Sequence, residues 1–353
     1  AESTNANFSH LRERASLVAR AMAAEKLLKD ATIAGEDYVD ITSNYDISFE
    51  GIEDEVLYEA NKSKLWEIDE FKDLAAEYVN KMTLASNALK GQVYSDELRA
   101  IDSKKRAYED EKIDLVTYYE YLYEKAQENE IPMYTFPNFA NLVKARQIEK
   151  KMNLPEEDTE NAGSQAELYM EYRKLTQDLN INDLFKEEPI LEDLVKEYTA
   201  TNSDQKKLIR ISKALSILSN LLRIKVVPEE YQYFQEHKSD FDPQFWMDFL
   251  NKKSQELSLS LALPNNFYII TDNLNTIEQF YHIADERNKA FLENTNKHIK
   301  KHNTEIAVLK AGGFHTPRLT ALLAENGYSY IVISPKVTTK TDEALYRSTL
   351  KRK

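Results

Sequence analysis

The sequence predicts a mainly α protein with a small α/β core, a long helical insertion, and a C-terminal helix-strand-helix-strand unit with parallel strands. Three observations predict it. Residues 55–270 carry apolar side chains at helical spacing and hold only Gly91 and Gly163, as suits stacked helices. Residues 305–311 and 328–334 are short apolar runs of buried-strand type, the first ending in Gly312-Gly313 and the second halted by Pro335. Gly51-Ile52-Glu53-Asp54-Glu55 separates a partly alternating stretch, residues 36–50, from the first long helical pattern. The expected division is residues 1–54 for the N-terminal part of the α/β core, 55–270 for the insertion, and 271–353 for the C-terminal part.

Taken in order, Leu11, Ala15, Leu17, Val18, Met22 and Leu27 recur at helical spacing, so a helix covers residues 8–29. Residues 55–128 suit two long antiparallel helices joined near residues 90–96, with Glu53 just before the first. Pro132 and Pro137 break that pattern, residues 139–153 resume it, and residues 155–164 are the most loop-like stretch. Leu208, Ile211, Leu215, Leu218 and Leu222 form the stripe of a buried bundle helix. Pro228 and Asp242-Pro243 open two shorter helices. Asp272 can cap a long helix whose inner face carries Ile277, Phe280, Tyr281, Ala284 and Phe291. Thr316 is a suitable N-cap and Pro317 a preferred first residue for a helix over 317–325, which Asn326-Gly327 ends.

Composition removes whole function classes. The chain has 353 residues, and 46 Lys+Arg against 60 Asp+Glu leave a net charge of -14, which repels phosphate backbones, so no nucleic-acid partner is expected. No apolar run approaches the roughly 18 residues of a membrane span, so no integral membrane segment is expected. Without cysteine, disulfides, thiolate metal sites and cysteine nucleophiles are ruled out, and the compartment stays undetermined. Zincin, nucleotide-binding and serine-hydrolase fingerprints are missing.

Chemistry concentrates near the C-terminus. On the helix after Asp272, Asn288 falls inside the apolar stripe and Arg287 on its edge. Placing an amide and a guanidinium against a core is costly unless each finds partners, so these residues mark either a structural network or a site. His315 occupies the turn between the first expected strand and the following helix, where the helix N-terminus disfavours the imidazolium. His298 and His302 share one helical face, but Lys297, Lys300 and Lys301 surround them and oppose a cation there.

The order Glu286-Arg287-Asn288, apolar strand, Gly312-Gly313-Phe314-His315, Leu-rich helix, Gly327-Tyr328 resembles the C-terminal part of TraB/Tiki-like proteins, and Gly51-Ile52-Glu53 is similar to that family's glycine-hydrophobic-glutamate element. The resemblance covers about 90 residues. It implies a metal-dependent hydrolase, with a peptide or small molecule as substrate. His315 and Glu53 would hold a divalent metal, Mn, Co or Zn, or act as base and water activator, and Arg287 would stabilise an oxyanion. Asn288, Gly312, Gly313 and Thr316 would contact the substrate. The family's first histidine motif does not precede Phe8, so a further N-terminal segment or a partner chain is expected to complete the site, or catalysis has been lost. The alternative is a non-catalytic helical interaction or scaffold protein that keeps the motif for structural reasons. Glu53 and His315 far apart, or His315 buried in a saturated hydrogen-bond network without a cavity, is the sign of that alternative.

Overall fold

The computed structural model describes residues 8, 10–30, 32–45, 49–152 and 162–334. Among them every regular element is a helix. This overturns the expected α/β core and its parallel strands. Residues 305–311 and 328–334 lack a ladder: their backbone makes no hydrogen bond to another segment among the described residues, apart from Tyr328 N–H closing the preceding helix on Leu323. A strand exists through its neighbour, and neither run meets one among the described residues. Leu309 and Ala311 instead pack on a small cluster of Ile52, Phe291 and Leu319. Val308 and Ile331 stand 96% and 89% exposed.

Two compact units are formed, Ala1–Asp73 with Asp272–Lys353, and Leu74–Thr271. Helix Glu55–Val93 contributes its first part to one and its remainder to the other. In the discontinuous unit, the expected helix over residues 8–29 is divided into Leu11–Arg14 and Leu17–Lys29 by Ser16, whose Oγ accepts from Ala19 N–H. The alternating stretch near residue 40 winds into helix Gly35–Thr42, where Asp37 accepts from Ala34 N–H at 2.9 Å. Buried Arg20 donates to the Ile41 carbonyl at 2.7 Å, and Arg12 pairs with Asp40 at 2.8 Å, fastening the helices on either side.

The spine of this unit is helix Leu274–His302; Asn273, not the expected Asp272, holds its N-cap position and makes no side-chain cap bond, and Asn303 ends it in the left-handed region at φ 47°. It buries Ile277, Phe280, Tyr281, Ala284, Arg287, Asn288, Phe291 and Thr295, one face at spacings of three and four. A 3-10 turn, Gly313–His315, then runs directly into helix Thr316–Glu325. Because that turn starts the winding early, Thr316 is already helical and is not the cap.

The continuous unit, Leu74–Thr271, is a helical bundle. The span expected as two helices over 55–128 contains three, since Asp114 caps a new one, Leu115–Glu128, through Thr117 N–H at 2.7 Å. Helix Ser203–Leu222 buries Leu208, Ile211, Leu215, Leu218 and Leu222. Pro228–Glu236 and Pro243–Glu256 begin at their prolines, and Trp246 Nε1 donates to the Asp240 carbonyl at 2.6 Å. Within this bundle Lys196 bridges Glu192 at 2.6 Å and Asp102 at 3.3 Å, while Lys105 reaches Glu192 and Lys90 reaches Asp102, each at 2.8 Å. Of the loop expected over residues 155–164, residues 155–161 lie outside the described residues, and residues 162–164 instead open helix Ala162–Gln177. No described helix is long and apolar enough to cross a membrane.

Candidate functional site

Arg287 and Asn288 leave the spine helix side by side and serve different segments. The Arg287 guanidinium grips both oxygens of Glu53, Nε to Oε1 at 3.2 Å and a terminal nitrogen to Oε2 at 2.6 Å. Its other terminal nitrogen donates to Asn61 Oδ1 at 2.9 Å, and Asn61 in turn donates to the Phe280 carbonyl at 2.8 Å. Tyr58 and Phe291 place their rings within 5.2 and 5.6 Å of the guanidinium carbon. Glu53 and Arg287 side chains are 2% and 9% exposed, so the pair is a desolvated one with bidentate geometry. Glu53 is fixed at this point because Asp54 caps the helix behind it, accepting from Leu57 N–H at 3.0 Å.

Asn288 Oδ1 meets His315 Nδ1 at 2.8 Å. An amide oxygen can only accept, so Nδ1 carries the proton and the Nε2 lone pair is left over. No described residue hydrogen-bonds Nε2. The ring is wedged edge-on between Phe291 and Phe314, at 5.1 and 5.4 Å. Burial, and then the positive charge of Arg287, lower its pKa to about 4, so it is neutral at physiological pH.

Of the residues singled out in the sequence, Glu53 meets Arg287 directly and Asn288 meets His315 directly, the charge of Arg287 bearing on both Glu53 and His315. His315 sits in a 3-10 turn, not at a strand end. Gly312 begins that turn by accepting from His315 N–H at 2.9 Å. Beside Gly313 there is open space where a side chain would be, and the Thr316 carbonyl accepts from Thr320 Oγ1 at 3.0 Å.

Sequence reasoning paired His298 with His302 but missed Asn294 and the partners that the spine's polar edge finds. Asn294 donates to the Ile52 carbonyl at 2.9 Å, His298 Nε2 lies 3.1 Å from the Gly51 carbonyl, and Lys301 and His302 both reach Glu50. The signal was present: Arg287, Asn294, His298 and Lys301 recur at seven, four and three residues, one continuous helical face. Asn61 gave no such signal.

As a metal centre, the expected pair of ligands fits poorly. Both Glu53 oxygens already face Arg287, whose cation opposes a second one nearby, and His315 Nε2 alone falls short of the three protein ligands usual for catalytic zinc. The described residues thus define an all-helical protein in which a buried polar clasp ties two connecting segments to one long helix. Comparison of the chain with protein-family models, with curated proteins and with solved structures finds no match.

Proposed function

We propose that this chain is a helical interaction or scaffold protein of TraB/Tiki-like descent, in which Glu53, Arg287, Asn288 and His315 act as a structural clasp. The carrying observation is that Arg287 spends its donors on Glu53 and Asn61 while Asn288 holds His315. The motif's polar groups are thereby used to dock residues 51–54 and 312–316 onto the spine helix. Residues 51–54 have no regular element of their own and residues 312–316 only a single 3-10 turn leading into a helix, so these side chains fix where both segments sit.

One observation favours the second reading, a hydrolase. The His315 ring is neutral, its Nε2 has no partner among the described residues, and space lies open beside Gly313. In that reading His315 accepts a proton from water, Arg287 leaves Glu53 to stabilise an oxyanion, and the substrate is a peptide or small molecule.

The test compares the parent with Glu53→Gln and His315→Ala by thermal unfolding and by calorimetric titration with Mn²⁺, Co²⁺ and Zn²⁺. The clasp reading expects Glu53→Gln to cost about 3–5 kcal/mol, as for breaking a buried pair, and expects identical heats in the parent and His315→Ala. A binding component or a peptidase activity that disappears in His315→Ala would overturn it in favour of the hydrolase.

A further inference from the structure

We infer that Glu50, His298 and His302 form a three-ligand binding site for a divalent cation of the zinc class. This site is separate from the clasp and does not rest on it. The two histidines lie one turn apart on the spine helix, and Glu50 comes from the segment that precedes Gly51. One ligand atom from each residue lies within 4.8 Å of the other two. His302 Nε2 is 2.8 Å from Glu50 Oε1, and His298 Nδ1 is 3.7 Å from Glu50 Oε2. A tetrahedral ion with nitrogen and oxygen bonds near 2.0–2.1 Å needs ligand atoms about 3.3 Å apart, which a small closure of the 4.8 Å grouping supplies.

The hydrogen bonding around His298 is that of a metal ligand. Its Nε2 faces the Gly51 carbonyl, which can only accept, so that nitrogen carries the proton and Nδ1 offers its lone pair. Nδ1 is buried and has no hydrogen-bond partner, and it is aimed at the Glu50 carboxylate. The Glu50 carboxylate is held by Lys301 and His302, both at Oε1, and Asn294 pins the Ile52 carbonyl two residues further on. Metal binding therefore requires little rearrangement of the backbone. Three protein ligands of types N, N and O leave a fourth position for water or an exogenous ligand.

Of the lysines that argue against a cation in the sequence, Lys301 alone reaches Glu50 among the described residues. Lys297 is tied to Asn294 at 3.0 Å. Lys301 is the real competitor, 2.9 Å from Glu50 Oε1, but its side chain is 61% exposed and can swing into solvent. Lys301 occupies part of the position that an ion would take.

The experiment uses the full chain stripped of metal, titrated with Zn²⁺ by calorimetry and with Co²⁺ by visible spectroscopy. One-to-one binding is expected, with the intense visible bands of four- or five-coordinate cobalt. His302→Ala and Glu50→Gln, chosen because neither residue is buried, should each weaken Zn²⁺ by more than the ~10–100-fold typical of losing an outer-shell partner. Lys301→Met should tighten it several-fold, and His315→Ala should leave it unchanged. Zn²⁺ affinity retained in both His302→Ala and Glu50→Gln, or a pale octahedral cobalt spectrum, overturns the site. Loss of binding in His315→Ala alone would do the same and would also count against the clasp.

Discussion

At the scale of single residues, His315 is the group whose ionisation the fold opposes most directly. Its pKa falls from the usual 6.5 to about 4 because burial and Arg287 both disfavour the imidazolium. The folded state therefore binds fewer protons than the unfolded state between those values. This contribution is complete above pH 6.5, is lost as pH falls toward 4, and is constant below that. The shift corresponds to about 3 kcal/mol. Chemical denaturation from pH 7 to 4 should show the parent losing about that much more stability than His315→Gln, which cannot titrate. Parallel pH curves for the two proteins would show that the ring is not held neutral. A base that is this weak is a poor proton acceptor at neutral pH, and the same value thus bears on the choice between clasp and catalyst.

At the scale of elements, the two apolar runs near the C-terminus are the structure's exposed edges. Ile306, Val308, Ile331 and Ile333 all stand more than four-fifths exposed, on backbone that has no ladder among the described residues. Unpaired apolar chain of this kind associates with its like. Val308→Lys and Ile331→Lys together should reduce concentration-dependent self-association in light scattering while leaving the unfolding free energy within about 0.5 kcal/mol of the parent, the usual range for surface changes. A large loss of stability in the double variant would mean that these side chains are packed in solution. The same segments mark the limit of what the sequence discloses. Spine helix Leu274–His302 and the inward direction of Arg287 and Asn288 were readable, because helical periodicity is local. A strand depends on a partner that may come from anywhere, and the apolar runs at 305–311 and 328–334 carried no information about whether one exists. Distance hid the rest. His298 and His302 were visible as a pair, but Glu50 is 252 residues from His302. Asn61, set within a long helix, had nothing to distinguish it until Arg287 was placed against it.

At the scale of the whole molecule, the chain combines a net charge of -14 with a continuous helical unit that draws charge inward. Burial alone would raise the Glu192 pKa, but the attraction of Lys196 and Lys105 outweighs it and holds the carboxyl at about 2. Its stabilisation is present in full above the ordinary 4.5 and is lost as pH falls from there toward 2. The amount is about 3 kcal/mol. The urea midpoint of the parent should therefore fall across that acid range, whereas Glu192→Gln should start from a lower plateau and decline less. An equal decline in both would place the acid sensitivity elsewhere. Tyr118 donates to Glu192 at 2.8 Å and its own ionisation is pushed upward by burial, so the network keeps its hydrogen bonds into alkaline solution.

The clasp has a consequence in time as well. Glu53 and Arg287 are separated by 234 residues, with the whole of the continuous unit between them. A ribosome adding roughly 5–20 residues per second would release Arg287 some ten to fifty seconds after Glu53. Throughout that interval the carboxylate of Glu53 and the faces of residues 8–73 that later meet the spine helix have no counterpart. The amino-terminal segment must wait, shielded or soluble, for the last quarter of the chain to be synthesised.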